Sequence, residues 1–151
     1  MTDRYATIFF LVGSACIIVG GLVAAVTTPL GLAKGSWSAA YLVLVCGVAQ
    51  CLFGVARSKL GQAPLTRMGF LTEFSCWNLG NAAVIIGTVL NAPAVLDCGG
   101  ALLIVVLLMQ ISHLRHAKPG MSWALRLYGA VIGMLLLSIP IGLILAMIAP
   151  T

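Results

Sequence analysis

The chain is predicted to be an all-α membrane protein, a single integral domain (residues 1–151) made of five transmembrane helices. Of its 151 residues, 62% are hydrophobic and 7% are charged, whereas about 25% of the residues of a soluble domain are charged. The apolar residues form continuous runs that do not alternate with polar ones, which excludes a membrane β-barrel. The basic residues lie at the ends of these runs and form no patch with aromatic residues, so nucleic acid is not an expected partner.

Five apolar runs are each long enough to cross the hydrocarbon layer, which takes roughly 20 residues of helix. The first run ends before Pro29, the fourth follows the turn signal Asn91-Ala92-Pro93, and the fifth ends before Pro150. The first run is also too long, and its flank too weakly basic, for a cleaved signal peptide. The predicted spans are residues 6–28, 37–56, 68–90, 94–112 and 123–149.

The distribution of basic residues predicts the orientation of the chain in the membrane. Short loops rich in Lys and Arg stay on the cytoplasmic side. We therefore expect a cytoplasmic amino terminus, an outside carboxyl terminus and a location in the inner cell membrane. The loops assigned to the cytoplasm carry Arg57, Lys59, Arg67, Arg115 and Lys118, and the opposite side carries Lys34.

The third span contains polar residues that an ordinary span lacks, namely Glu73, Asn78 and Asn81. Glu73 and Asn81 are eight residues apart and lie on one helix face, from which Asn78 is offset by about 100°. Intramembrane polar side chains either hydrogen-bond across helices or line a path for a substrate or ion. Both roles remain open, and Gln50 and Gln110 are further candidates for either.

A partner for Glu73 is required, because a charge in the middle of a membrane costs about 2.5–3.5 kcal/mol on insertion scales. Glu73 lies about 8 Å along the helix axis from Met68, and Arg126 lies about 5 Å from Trp123, at 1.5 Å per residue. The two depths agree to within one helical turn. An ion pair between Glu73 and Arg126 is therefore predicted to join the third span to the fifth.

Asp97 is the acidic residue of the fourth span, one turn after the outside turn. A carboxylate near the amino end of a helix is stabilised by the helix dipole. That position explains Asp97 without a functional role, and a place in the intramembrane polar cluster with Glu73, Asn78, Asn81 and Arg126, along a transport path, is the alternative. Lys34 is its expected partner, because it is the cation assigned to the same side.

Small residues predict where helices approach one another closely. Gly80 and Gly87 belong to a seam with heptad spacing in the third span, and Gly129 and Gly133 form a GxxxG motif in the fifth. These glycines are assigned to helix packing. The GxxxG motif fits packing within the chain and also homodimerisation, because it does not specify which chain supplies the partner helix.

No catalytic residue, metal site or cofactor is predicted. The chain has no Gly-rich phosphate loop, no HExxH motif and no Ser-His-Asp order. His113 and His116 are its two histidines, and they lie at one helix end without the third and fourth ligands that zinc requires. A haem held by these histidines would need opposed helices from two chains.

The leading functional prediction is an accessory or scaffolding subunit that binds other membrane proteins or lipids without catalysis. It follows from the short loops, the helix-packing motifs and the lack of cofactor motifs. The alternative is a small oligomeric transporter or channel with a polar path at Glu73, Asn78 and Asn81. A haem or redox protein that uses His113 and His116 comes third.

Overall fold

Five helices make up almost all of the structure, which is a computed structural model. It describes residues 4–59, 66–115 and 122–148. Within these ranges it describes every side chain except those of residues 115, 122 and 142–148. None of the described residues lies in a β-strand, so the all-helical prediction is confirmed. Each helix covers one of the predicted apolar runs. The helices are α1 (Arg4–Thr27), α2 (Gly35–Lys59), α3 (Arg67–Val89), α4 (Pro93–Arg115) and α5 (Ser122–Ile148).

Four helices are long and apolar enough to cross a membrane, judged by length and composition: α1, α2, residues Pro93–Leu114 of α4 and residues Trp123–Ile141 of α5. Helices of this kind are typical of a multi-pass membrane protein. α3 has 23 residues but is not among the four, because Glu73, Asn78 and Asn81 lower its hydropathy. The membrane-type helical fold is thus confirmed, whereas the count of five spans stays a prediction.

The chain divides into two compact units, Met1–Lys59 and Leu60–Thr151. In the first unit, α1 and α2 form a hairpin whose backbones approach closely at glycines. A Cβ atom added at Gly13 would lie 2.8 Å from the carbonyl oxygen of Gly47, and one at Gly54 would lie 2.6 Å from that of Ala6. These glycines are needed for the close contact, because a side chain would have to displace backbone.

Part of α2 is a π-helix, Leu42–Ala49, which is rare in proteins and longer here than a single bulged turn. This segment lies against α1. A Cβ atom added at Gly20 would lie 2.7 Å from Val43 Cγ2, and one at Gly47 would lie 2.5 Å from Ile17 Cγ1. The wider turns of α2 therefore lie at one of its close contacts with α1.

In the second unit, α3 and α4 form an antiparallel hairpin and α5 packs against α4. Thr66 caps α3, since its hydroxyl accepts a hydrogen bond of 3.1 Å from the Gly69 N–H. The turn between α3 and α4 places Asn91 in the left-handed region, at φ 53°, which Asn tolerates better than most residues. The Ala92 N–H donates to the Gly87 carbonyl at 2.8 Å, which closes the turn.

Glycines also set the distance between α3 and α4. A Cβ atom added at Gly99 would lie 2.7 Å from the carbonyl oxygen of Gly80 and 2.8 Å from the backbone nitrogen of Val84. One added at Gly87 would lie 2.6 Å from the backbone nitrogen of Leu96. Gly80 and Gly87, the seam glycines of the third predicted span, therefore lie at a close helix contact.

The GxxxG motif of α5 behaves differently. No heavy atom of the described residues lies within 4 Å of a Cβ atom added at Gly133, and the nearest to one at Gly129 is Leu114 Cδ1 at 3.9 Å. Close backbone contact at this motif is therefore absent among the described residues.

Replacing Gly99 and Gly133 by Ala should have opposite effects on stability. Gly99→Ala should lower the free energy of unfolding by about 1–3 kcal/mol, because the methyl group overpacks the α3–α4 contact. Gly133→Ala should leave it unchanged or raise it by about 0.5–1 kcal/mol, because Ala favours the helix and meets no neighbour. Denaturant titration in detergent micelles, followed by circular dichroism, measures both. Equal losses in the two variants would contradict the packing role of Gly99.

Candidate functional site: a buried polar cluster

Glu73 is the centre of a polar cluster inside the second unit. Its side chain is completely buried and lies against α4. Its Oε1 atom is 2.6 Å from Nε2 of His113, and its Oε2 atom accepts a longer hydrogen bond of 3.4 Å from Nε2 of Gln110. Both carboxylate oxygens of Glu73 therefore face groups of α4 that can donate a hydrogen bond.

A further hydrogen bond extends the cluster to α5. The hydroxyl of Tyr128 donates to Oε1 of Gln110 at 3.2 Å. Gln110 is fully buried and Tyr128 is 5% exposed. This bond holds the Gln110 carboxamide with its NH₂ group toward Glu73. The polar cluster, defined as Glu73, Gln110, His113 and Tyr128, thus links α3, α4 and α5.

Charge compensation explains why Glu73 is tolerated in this interior. A buried carboxylate without a partner is costly, whereas a well-placed donor or cation offsets part of the cost of removing it from water. The side chain of His113 is 25% exposed, whereas that of Glu73 is not exposed at all. His113 is thus both a hydrogen-bond partner of Glu73 and the more accessible member of the pair.

The predicted ion pair between Glu73 and Arg126 is replaced by the pair with His113. Arg126 is exposed. The prediction compared depths along the helices, whereas the rotation of each side chain about the helix axis decides the partner. Arg126 precedes Tyr128 by two residues, or about 200° around an α-helix, so when Tyr128 faces Gln110 the side chain of Arg126 points away.

Asn78 and Asn81 use their amide donors within α3. The Nδ2 atom of Asn78 donates to the Phe74 carbonyl at 2.8 Å, and that of Asn81 donates to the Trp77 carbonyl at 2.9 Å. Asn81 is 3% exposed, whereas Asn78 is partly exposed. Each of these amide groups therefore bonds to the carbonyl four residues earlier in its own helix.

Three further predicted polar residues, Asp97, Lys34 and Gln50, are not members of the cluster. Asp97 is exposed in α4, on the second unit, whereas Lys34, its expected partner, belongs to the first unit. Gln50 is fully buried in α2, and neither its Oε1 nor its Nε2 atom has a hydrogen-bond partner among the described residues. Gln110 is thus the carboxamide that joins Glu73.

Of the two histidines in the third functional prediction, His113 and His116, the first is part of the polar cluster. The Nε2 atom of His113 contacts Glu73, so it is not free to ligate haem iron while this pair is intact. His116 lies outside the described residues. Within the described parts of the chain, no group of three His, Cys, Asp or Glu side chains is close enough to hold a metal ion.

Two members of the cluster, His113 and Tyr128, are not predicted from the sequence as partners of Glu73. The turn at Asn91 gives a signal that could have placed His113. In an antiparallel hairpin, the numbers of two residues that face each other add up to the same value at every level. Gly87 faces Leu96, and Glu73 faces Gln110 with the same total. His113 follows Gln110 by three residues and therefore shares its face. The sequence offers no comparable signal for Tyr128.

Comparisons with known protein families, curated proteins and solved structures find no match. The class of protein therefore follows from its own helices, which are typical of a multi-pass membrane protein. The polar cluster is the feature with the most chemistry, because it joins a buried acid to a partly exposed base.

Substitution of Glu73 should destabilise the protein more when the new side chain retains fewer hydrogen bonds. Glu73→Leu leaves His113 and Gln110 facing an apolar group, at a cost of about 1–3 kcal/mol for each unsatisfied donor. Glu73→Gln keeps one acceptor and should cost less. Asn78→Leu, a control on the same helix, should cost least, because it removes a bond internal to α3. Thermal unfolding in detergent gives the order, and a Glu73→Leu variant as stable as wild type would contradict it.

Proposed function

We propose that the protein is an accessory or scaffolding subunit of the inner cell membrane. It crosses the membrane five times, with its amino terminus in the cytoplasm, and binds other membrane proteins or lipids without catalysing a reaction. The polar cluster is the observation that carries this proposal. Glu73 and Gln110 are fully buried and hydrogen-bonded to each other, an arrangement suited to fastening helices together.

The polar residues of α3 favour a structural role over an open path. Asn78 and Asn81 donate to carbonyl groups of their own helix, and Asn81 is 3% exposed. A substrate path needs polar groups that are free to contact the substrate. These donors are instead used within α3.

One observation supports a second candidate, a small oligomeric transporter. His113 is 25% exposed and contacts the buried carboxylate of Glu73. Intramembrane acid and imidazole groups mark proton or ion pathways in many transporters. In this alternative the path begins at the His113–Glu73 contact rather than along Asn78 and Asn81.

The proposed orientation follows from charge. Five basic residues between residues 57 and 118 lie at or between the ends of the predicted spans on one side, and Lys34 lies on the other. Such a bias keeps the basic loops in the cytoplasm. The same loops would face anionic lipid headgroups, which attract basic segments near the membrane surface.

A cysteine-labelling experiment tests the orientation. Lys34→Cys should react with a membrane-impermeant maleimide in intact cells, because it lies on the outer side. Lys59→Cys should react only after the cells are permeabilised. The wild-type protein, with its five native cysteines, gives the background. Labelling of both variants in intact cells would contradict the topology.

Co-purification from native membranes tests the role. A tagged full-length protein, solubilised in a mild detergent, should retain a stoichiometric and larger membrane protein, because an accessory subunit binds its partner specifically. Native mass spectrometry measures the composition. A clean homo-oligomer would favour the transporter alternative, and a monomer without a protein partner would contradict the subunit role.

Two variants serve as matched probes of that complex. A Cβ atom added at Gly21 or at Gly133 meets no atom of the described residues within 4 Å. Gly21→Leu and Gly133→Leu should therefore leave each unit folded, as judged by thermal unfolding. If only Gly21→Leu loses the partner protein, the partner contacts the first unit near Gly21. If only Gly133→Leu loses it, the partner contacts the second unit near Gly133. If both variants retain the partner, it binds another surface of the protein.

A further inference from the structure

The contact between Glu73 and His113 has the geometry of a shared proton. Oε1 of Glu73 and Nε2 of His113 are 2.6 Å apart, a distance at which one hydrogen atom lies between the two heavy atoms. The other carboxylate oxygen, Oε2, faces the Nε2 atom of Gln110. Glu73 thus contacts one group that exchanges protons and one carboxamide that donates a hydrogen bond without exchanging protons readily.

Burial determines how a proton can reach Glu73. The carboxylate is not exposed, whereas the side chain of His113 is 25% exposed. Imidazole has two nitrogens, and only Nε2 is used in the contact with Glu73. It can therefore accept a proton at Nδ1 and release one from Nε2.

We propose that Glu73 and His113 form an intramembrane proton-binding site that is loaded from the aqueous phase through the imidazole. In the unloaded state Glu73 is a carboxylate and neutral His113 donates its Nε2 proton to Oε1. One proton added at Nδ1 converts His113 to imidazolium. If the Nε2 proton then moves to Oε1, a neutral carboxyl group faces a neutral imidazole that carries its proton on Nδ1. Either way the pair gains one proton.

Gln110, which also contacts Glu73, does not exchange protons readily. Tyr128 on α5 donates to Oε1 of Gln110, so the carboxamide presents NH₂ to Glu73. The cationic residues Arg67 on α3 and Arg126 on α5 are exposed. Asp97 is exposed near the other end of α4. His113 is therefore the contact through which the proposed site is loaded.

This inference goes beyond the proposed accessory role and does not depend on it. It requires only residues of the second unit, and a partner protein neither supports nor contradicts it. A proton-binding site would make the stability of the α3–α4 contact depend on pH whichever role the protein has.

Reaction with dicyclohexylcarbodiimide tests the proposal, because this apolar reagent modifies protonated carboxyl groups. The full-length protein in detergent should be labelled at Glu73. Labelling should become several-fold faster as the pH is lowered over about 5–8, because the pair then gains its proton. The chain has three acidic side chains, so peptide mass spectrometry assigns the product. Glu73→Gln should abolish this label.

The histidine variants distinguish the proposal from simple protonation of a buried acid. His113→Asn keeps a hydrogen-bond donor but cannot bind or pass a proton, so the pH profile of Glu73 labelling should be displaced from that of the wild type or lost. His116→Asn, the matched control, should behave as wild type. An unchanged pH profile in His113→Asn, or no labelling of Glu73 at any pH, would overturn the proposal.

A measurement on the wild-type protein covers the case in which His113→Asn does not fold. With two histidines in the chain, the imidazole ¹⁵N resonances of selectively labelled protein are simple to assign. The signals of His113 should report a change of protonation over the same pH interval as the labelling of Glu73. A His113 imidazole that keeps one protonation state throughout this interval would also overturn the proposal.

Discussion

Burial of a carboxylate is the constraint on which the second unit depends. An ionised carboxylate accepts hydrogen bonds and donates none, and the backbone N–H groups beside Glu73 are already used by α3. Its acceptors must therefore be satisfied by another helix. Gln110 and His113 of α4 supply the donors. This requirement fixes the register of α4 on α3, and the bond from Tyr128 to Gln110 then fixes the rotation of α5.

The two asparagines of α3 differ from Glu73 in the groups they carry. An amide group has both donors and an acceptor, so Asn78 and Asn81 can donate to the carbonyl four residues earlier in the same helix. A carboxylate has no donor for such a bond. The hydrogen bonds of Glu73 to His113 and Gln110 instead join α3 to α4.

The helices could be predicted from the sequence, because a chain in hydrocarbon must satisfy its backbone groups internally and a long apolar run can do so only as a helix. The depth of Glu73 followed from the rise per residue. Its partner did not, because depth says nothing about rotation, and Arg126 lies about 200° around the helix from Tyr128. The number of spans also stayed open, since the polar residues that give α3 its interest weaken its signal as a span.

The π-helical segment of α2, Leu42–Ala49, makes the length of this stretch as important as its composition. Extra residues per turn rotate Gln50–Lys59 about the helix axis, and this rotation brings Phe53 edge-on to Phe9, with ring centroids 6.3 Å apart. Deleting one residue from the segment would turn everything after it by about 100° and carry Gly54 away from α1. The hairpin therefore depends more on the number of residues in this segment than on which aliphatic residue stands at each position.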